Sequence, residues 1–332
     1  MANETDLEQI NEAILEAIIE MYKILKISVE DSTLKLRNLN ENNYEVLFGD
    51  WRYNFSSKNL ALTCDIYKSL KRGLNQKVVS FSLYGTNERY YKLISHTSEM
   101  IKKFYPNHSM RIYHDDSINK SIICQLECAN SHIDFCNIHK KPLSLDNFDQ
   151  VLNLNYIHSM MWRFLPIGDT FVDLFHSRDL DSVILQREID SVQVWLNSNN
   201  IGHIMRDNPQ HGPLILGGMW GLKTNQDRKL SNEVYNLIID KKLSQIYNPG
   251  GKSLRDHDQY FLAHHVFYKI NWKSTVHDSF SCKRNPNSKP FPTQRKGNCF
   301  VGQVGWCNET STNFFECPKE CRPINHQDWK SC

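Results

Sequence analysis

Short apolar runs alternate with stretches of helical periodicity between residues 76 and 281, and this alternation constrains the fold more than any other feature of the chain. Strands that alternate with helices are typical of domains built around a parallel sheet. The pattern predicts strands at about 78–84, 110–113, 171–175 and 203–205. It predicts helices at about 93–104, 187–196, 231–246 and 257–268. We therefore expect residues 76–281 to form one α/β domain.

Two further sections flank this domain. In Met1–Ile27 glutamates recur every four residues beside apolar residues at three- and four-residue spacing, which predicts an amphipathic helix. Residues 28–75 show no clean period, so residues 1–75 are expected to be a helical or irregular extension. From Cys282 onward the chain is rich in proline, glycine, asparagine and cysteine, so residues 282–332 are expected to contain little regular structure.

The charge balance and the hydropathy exclude several classes of protein. Lys and Arg number 39 against 37 Asp and Glu, so the chain lacks the strongly basic character of a dedicated nucleic-acid binder. A hydrophobic content of 40% is too high for a disordered chain. No uninterrupted apolar stretch of about 18 residues is present, so no transmembrane segment is expected. Met1–Ile27 also lacks the basic and apolar regions of a signal peptide.

Six of the ten cysteines lie in the last 51 residues, at positions 282, 299, 307, 317, 321 and 332. An even number of cysteines in a proline-rich segment predicts three disulfides, which require an oxidising compartment. The alternatives are free thiols or a zinc site formed by Cys307, Cys317, Cys321 and His326, although the spacing of these four residues matches no common zinc finger. The zinc alternative also applies to a second group, which consists of Cys124, Cys128, Cys136, His132 and His139.

The strongest local signal for chemistry is an Asp-x-Asp pair, Asp179 and Asp181, directly after the predicted strand at 171–175. Carboxylates at positions i and i+2 of an extended segment point to the same side, so both can face one divalent cation. Carboxylate and phosphate oxygens are the ligands that such hard cations prefer. A solvated turn is the alternative, because an isolated Asp-x-Asp is common in proteins of this size.

Three further segments accompany this pair. Gly217, Gly218 and Gly221 interrupt an apolar run, which indicates close approach of a backbone or a ligand, or a bulge in a strand. Asp256 and Asp258 open a predicted helix, where carboxylates can also act simply as caps. His277 follows an apolar stretch as a possible metal ligand, with an ordinary buried or surface histidine as the alternative.

The ordered set of a first strand Val78–Ser82, an Asp-x-Asp, a glycine-rich segment, an acidic motif and a late histidine resembles the GT-A type of nucleotide-sugar-dependent glycosyltransferases. The resemblance covers about residues 76–281. It implies a Rossmann-type mixed sheet flanked by helices, and a divalent cation, Mn²⁺ or Mg²⁺, on the diphosphate of a UDP- or GDP-sugar. The acceptor would be a glycan or a glycoprotein.

The resemblance also implies roles for individual residues. Asp179, Asp181 and His277 would be metal ligands, the glycines 217, 218 and 221 would line the donor or acceptor pocket, and Asp256 or Asp258 would approach the acceptor hydroxyl. Many inverting members have Glu-Asp where this chain has Asp256-His257-Asp258-Gln259, and Asp-Gln also occurs in retaining members. The stereochemistry of transfer is therefore open.

Other residues near these motifs are candidates for substrate contacts. The loop from Tyr84 to Arg89 follows the first strand and is the expected place for base and ribose contacts. Arg178, Arg187 and Arg206 could contact phosphate, or each could form a structural ion pair. Trp220 beside the glycines is a candidate platform for an acceptor sugar, whereas Trp162 and Trp195 are at least as well explained by core packing.

Two other functions remain open on the sequence. One is a non-catalytic secreted protein that binds glycan or protein through the cysteine-rich tail, which predicts that Asp179, Asp181 and His277 do not converge within metal-bridging distance. The other is a metal-dependent nucleotidyl or phosphoryl transferase, which would share the acidic cation site. The tail cysteines favour the secretory lumen or secretion, and the missing signal sequence leaves a cytoplasmic location as the alternative. The tail begins five residues after His277, so we expect it to brace or border the site.

Overall fold

The structure is a computed structural model, and it describes residues 24–29, 32–139, 141–142 and 151–332. The first four strands are β1 (Ile24–Val29), β2 (Ser32–Asn40), β3 (Asn43–Phe48) and β4 (Trp51–Ser56). The next five are β5 (Gln76–Leu83), β6 (Ser109–His114), β7 (Ile133–Asn137), β8 (Lys141–Pro142) and β9 (Val151–Leu152). The last five are β10 (Val172–Arg178), β11 (Gly202–Arg206), β12 (Met219–Lys223), β13 (Ser274–Asp278) and β14 (Ser288–Lys289).

The α-helices of the described residues fall into three groups along the chain. The first three are α1 (Ile66–Arg72), α2 (Glu88–Phe104) and α3 (Lys120–Ala129). The next three are α4 (Gln186–Leu196), α5 (Arg228–Ile239) and α6 (Lys241–Tyr247). The last two are α7 (His257–Phe261) and α8 (Phe267–Ile270), which a π-helical turn at Leu262–Val266 joins. Among these helices none has both the length and the hydropathy that crossing a bilayer requires.

Eight strands form one mixed sheet, in the order β14-β13-β11-β12-β10-β5-β6-β7. β12 is antiparallel to both of its neighbours, and the other neighbouring pairs are parallel. Helices flank the sheet, so the predicted α/β fold with a mixed sheet is confirmed. The strand order reverses between β5 and β10, because β6 and β7 extend to one side of β5 and the later strands extend to the other. Ligands of open α/β sheets bind at the carboxyl ends of the strands at such a reversal.

The elements predicted within residues 76–281 agree with the structure because the spacing of apolar residues in the sequence matches the pattern of burial along each element. Alternate residues of β5 face opposite sides of the sheet, with Val78 in one apolar cluster and Val79 and Phe81 in another. The helix predicted at 231–246 is two helices, because Asp240 leaves the helical conformation and caps α6 through a 2.7 Å bond from the Leu243 amide.

The N-terminal section differs from the expected helical or irregular extension. β1–β4 form an antiparallel sheet, and its buried face packs on the larger domain through Phe55 and Phe171, whose rings lie edge to face at 5.3 Å. The predicted N-terminal helix lies mostly outside the described residues, and its expected end at Ile27 falls within β1. A disulfide between Cys64 and Cys136 links this section to β7.

The cysteine-rich tail contains three disulfides, as the sequence predicts. They join Cys282 to Cys321, Cys299 to Cys307 and Cys317 to Cys332. The zinc alternative for the tail is wrong, because the three cysteines that it requires are oxidised. The second zinc group is wrong for the same reason, since its Cys136 is bonded to Cys64. Regular structure in the tail is sparse, as expected, and β14 is its one strand among the described residues.

Candidate functional site

A cleft of about 770 Å³ opens at the carboxyl ends of β5 and β10, where the strand order reverses. Seven of the residues predicted for the site line it, namely Tyr84, Asp179, Asp181, Gly217, Gly218, Asp256 and Asp258. These residues come from four segments that are far apart in sequence. The sheet brings them together because β5, β10 and the turn before β12 all reach the same edge.

Arg163 lies at the centre of the cleft and connects two of the predicted segments. Its guanidinium donates one hydrogen bond to Asp179 and another, at 2.7 Å, to Oδ2 of Asp258. The Asp258 side chain is 2% exposed, whereas that of Asp179 is 40% exposed. The two carboxylates hold the pKa of Arg163 above its usual value despite its burial, so the guanidinium stays charged. The positive charge of Arg163 therefore compensates the negative charges of both aspartates.

The contacts of Arg163 with Asp179 and Asp258 require glycine at positions 217 and 218. A Cβ atom at Gly217 would overlap the Asp258 carboxylate and the Arg163 guanidinium, and a Cβ atom at Gly218 would overlap the Asp179 carboxylate. Ser177 fixes the turn by donating a 2.6 Å hydrogen bond to the Gly217 carbonyl. The glycines thus provide the close approach that the sequence indicated, and they lie in the turn before β12 rather than in a strand bulge.

Asp181 is the second carboxylate of the Asp-x-Asp pair, and its side chain also borders the cleft. Burial raises the pKa of Asp181, and the negative charge of Asp179 raises it further. The positive charges of Arg89 and Arg163 oppose this shift. Arg89 does not line the cleft, so its action on the site is electrostatic. A bound cation would relieve the repulsion between the two aspartates.

The acidic motif forms the opposite wall. Asp256 has a left-handed backbone with φ of 67°, and its side chain accepts a 2.8 Å hydrogen bond from Nε2 of Gln259. Oδ1 of Asp258 is buried and has no hydrogen-bond partner within the described chain, and the same holds for Oε1 of Gln259. Buried acceptors without partners are costly in a folded protein, and the two residues that carry them both line the cleft.

The structure does not bring His277 together with the two aspartates. His277 lies in the interior of β13, where its Nδ1 is 2.9 Å from Nε2 of His203 and its ring packs on Phe291. Burial lowers the pKa of His277 to about 3. In the described parts of the chain, no three His, Cys, Asp or Glu side chains are grouped so that they could hold a metal ion. Any cation here would therefore depend on Asp179 and Asp181.

Three other predicted residues also lie outside the cleft. Trp220 is fully buried between Phe164 and Phe175, so it is a core residue and not an exposed platform. Gly221 faces the Phe175 carbonyl inside the sheet. Arg178 is buried and donates a 2.6 Å hydrogen bond to Glu188.

The other two arginines form structural ion pairs as well. Arg187 pairs with Asp207 at 2.9 Å, and Arg206 pairs with Asp278 at 2.7 Å. The ion-pair alternative is therefore correct for all three arginines that the sequence offered for phosphate contacts, and Arg163 is the buried arginine that reaches the cleft. Comparison with known proteins adds no assignment, since no protein-family model matches the chain and no curated protein shows significant similarity to it.

Proposed function

We propose that the protein is a metal-dependent glycosyltransferase of the GT-A type, which moves a sugar from a nucleoside-diphosphate donor to a glycan or glycoprotein. The observation that carries the proposal is the convergence of the Asp-x-Asp pair, the glycine turn and the acidic motif in one cleft at the reversal of the strand order. A volume of about 770 Å³ is within the usual range for small-molecule sites.

The Asp-x-Asp pair fits a divalent cation of the proposed kind. Mg²⁺ is usually bound by one or two protein carboxylates together with phosphate oxygens and water, so a complete cage of protein ligands is not needed. Asp179 is partly exposed, and both aspartates line the cleft. When bound, Mn²⁺ or Mg²⁺ would stabilise the negative charge that develops on the leaving diphosphate.

The remaining residues of the cleft would bind and orient the two sugars. Tyr84 is held edge-on against Trp162 at 5.9 Å and would contact the base or ribose. Asp258 and Gln259 line the cleft and would accept hydrogen bonds from sugar hydroxyls. Proton transfer from an acceptor hydroxyl to Asp258 or Asp256 would lead to inversion, whereas attack on the front face needs no protein base and leads to retention. Both outcomes are compatible with these side chains.

The proposal is tested by replacing Asp181 with Asn, which removes one negative charge at nearly constant volume. Hydrolysis of the donor and transfer of its sugar should fall about 100-fold or more, because the charge on the leaving group is no longer stabilised. Asp190→Asn is the control, since Asp190 lies on α4 and bonds only to Gln186 on the surface. Full activity of Asp181→Asn, or of the wild-type protein in excess chelator, would contradict the proposal.

A second function is favoured by the separation of His277 from the aspartates and by the ion pair between Arg163 and Asp179. In this function the domain is a binding scaffold, and the secreted protein recognises glycan or protein without catalysis. A thermal-shift screen of nucleoside diphosphates and their sugars with Mn²⁺ separates the two, since a ligand that binds only the folded state raises its midpoint. The screen also identifies a nucleotidyl or phosphoryl transferase, which would respond to other phosphate compounds.

We also propose an oxidising location, either the lumen of the secretory pathway or the cell exterior. Four disulfides support this location, because thiols are kept reduced in the cytosol. A glycan or glycoprotein acceptor would be present in the same compartment.

A further inference from the structure

The tail contributes a disulfide-closed loop, Cys299–Cys307, which lies directly against the Asp-x-Asp segment. The Gly305 amide donates a 3.0 Å hydrogen bond to the carbonyl of Asp181. The Val183 amide donates a bond of the same length to the carbonyl of Gln303. Ser182 and Val304 form an antiparallel bridge between these two bonds. The residues that follow Asp179 are therefore paired with the tail on both sides of Ser182.

The loop is itself anchored to the sheet. The Val301 amide donates a 3.0 Å hydrogen bond to the buried carboxylate of Asp207, which also pairs with Arg187. Gly302 has φ of 84° and packs so closely on Met219 that a Cβ atom would lie 2.5 Å from its sulfur. Gly302 also lines the cleft. The loop therefore connects the sheet to one wall of the cleft.

Asp181 needs such support for a physical reason. Its segment leaves the end of β10 and lies beyond the ladder of the sheet, so the sheet does not satisfy its backbone groups. Thr97 on α2 donates one hydrogen bond to the Leu180 carbonyl, and the two backbone bonds to the loop hold the segment at Asp181 and Val183.

We propose that the loop Cys299–Cys307 is a positioning element of the candidate site, and that its disulfide keeps Asp181 in place for a cation and a diphosphate. The part that concerns ligands rests on the proposed function, whereas the part that concerns the backbone of Asp181 does not. The tail is then not an independent binding module. It is a component of the site, although it lies outside the α/β domain in sequence.

The test compares two double variants, each of which removes one tail disulfide. Cys299→Ser/Cys307→Ser opens the loop beside Asp181. Cys282→Ser/Cys321→Ser is the matched control, because this disulfide belongs to the same tail and neither cysteine lines the cleft. Amide hydrogen exchange of residues 179–183 is measured by mass spectrometry in the wild type and in both variants. We expect exchange in this segment to be roughly ten-fold faster or more when the loop is opened, and unchanged in the control.

Gly302→Ala supplies a second variant in case the opened loop prevents folding. All disulfides remain in this variant, and the added methyl group at a positive φ displaces the loop from Met219. The proposal predicts faster exchange in residues 179–183 here as well. Unchanged exchange in this segment in every folded variant of the loop, or equal acceleration in the Cys282–Cys321 control, would overturn it.

Binding of UDP and GDP in the presence of Mn²⁺ is the second readout. The opened loop should weaken binding roughly ten-fold or more, and the control disulfide should leave the affinity unchanged. If the wild-type protein binds neither nucleotide, the proposed function fails, while the exchange rates still decide the role of the loop. If the wild type binds a nucleotide and the opened loop binds it equally well, the loop proposal fails and the proposed function stands.

Discussion

Gly218 is a residue of the cleft at which the backbone has no room for a side chain. In Gly218→Ala the methyl group would overlap the Asp179 carboxylate and lie 2.9 Å from the Asp179 amide nitrogen. Asp179 must then move away from Arg163. We expect a loss of stability of about 1–3 kcal/mol, typical of overpacking, and a fall in ligand affinity or activity of about 100-fold. Urea unfolding and nucleotide titration measure the two effects.

Gly212→Ala is the matched control for this substitution. Gly212 lies in the loop that leads to the same turn, and an added Cβ atom would meet nothing within 4 Å. Both quantities should stay near the wild-type values. If Gly218→Ala bound ligands as well as Gly212→Ala does, the close contact with Asp179 would have no functional role.

Arg163 gives a second prediction, because it compensates two carboxylates and one of them is buried. Arg163→Met leaves Asp258, with a 2% exposed side chain, as an unpaired buried charge. We expect the free energy of unfolding to fall by about 3–5 kcal/mol. The double variant Arg163→Met/Asp258→Asn should recover part of this loss, since the unpaired charge is then absent. Urea unfolding of the single and double variants gives the coupling between the two residues.

Arg255→Met is the control for the loss of an arginine. Its side chain is 92% exposed and lies 3.8 Å from Asp256, so its removal should change stability by no more than about 0.5 kcal/mol. A similarly small effect of Arg163→Met would show that the ion pairs around Arg163 contribute nothing to the fold.

Arg163 also shows what the sequence could and could not predict about the site. Motif spacing located Asp179, Gly217, Gly218 and Asp258, because the chemistry of the proposed reaction links those residue types. Arg163 belongs to no motif. Its one signal is a charge within the apolar run 160–167, where a buried arginine requires acidic partners. The identity of those partners follows only from the three-dimensional contacts.

At the level of elements, the predicted helices and strands agree with the structure where the hydrophobic pattern of the sequence is strong. β5 was predictable because Val78, Val79, Phe81 and Leu83 give it a short apolar run, and α2 was predictable because its buried residues form a helical stripe. The strands β2, β3 and β4 were not predictable because apolar residues also occur on their solvent side, with Trp51 57% exposed and Leu39 46% exposed. These exposed side chains mask the two-residue alternation of burial. The antiparallel sheet is therefore evident only from its pairing.

The disulfide between Cys64 and Cys136 joins the N-terminal section, which contains β1–β4, to β7. The two cysteines are 72 residues apart in sequence. Replacing both cysteines with alanine should lower the free energy of unfolding by about 4 kcal/mol, since a long loop is no longer closed in the unfolded chain. Urea unfolding without reductant measures the change. Cys124→Ala/Cys128→Ala is the control, because both of these residues are exposed on α3 and lie outside the four disulfides. Equal unfolding midpoints in the two variants would contradict the stabilising role of the cross-link.

Across the whole molecule, buried histidines extend through the sheet from β10 to β13. The His176 ring packs edge-on against Trp195 at 5.5 Å, and Trp195 stacks on His203 at 5.1 Å. His203 in turn contacts His277. Neither ring nitrogen of His176 has a hydrogen-bond partner in the described residues. These imidazoles are packed as neutral rings, and nearby cations such as Arg178 oppose their protonation.

This arrangement predicts that the fold loses stability in mild acid. Burial lowers the pKa of His176 and of His203 well below 6.5, so between that value and the lower pKa only the unfolded chain takes up protons. The contribution of each neutral histidine is complete above about pH 7 and decreases as the pH falls. At pH 5.5 we expect a loss of about 1.4 kcal/mol for each of these histidines, and His277, whose pKa burial lowers to about 3, adds to the loss from His176 and His203.

Urea unfolding at pH 7.5 and pH 5.5 measures the total loss, and His176→Phe should reduce it by about 1.4 kcal/mol because one of the titrating rings is removed. The buried carboxylate of Asp207 does not obscure the comparison. The ion pair with Arg187 helps to lower the pKa of Asp207 below its usual value, so its contribution is lost only at more acidic pH. If the free energy of unfolding were equal at the two pH values, the buried histidines would have to accept protons in the folded protein. Their packing around Trp195 does not allow this.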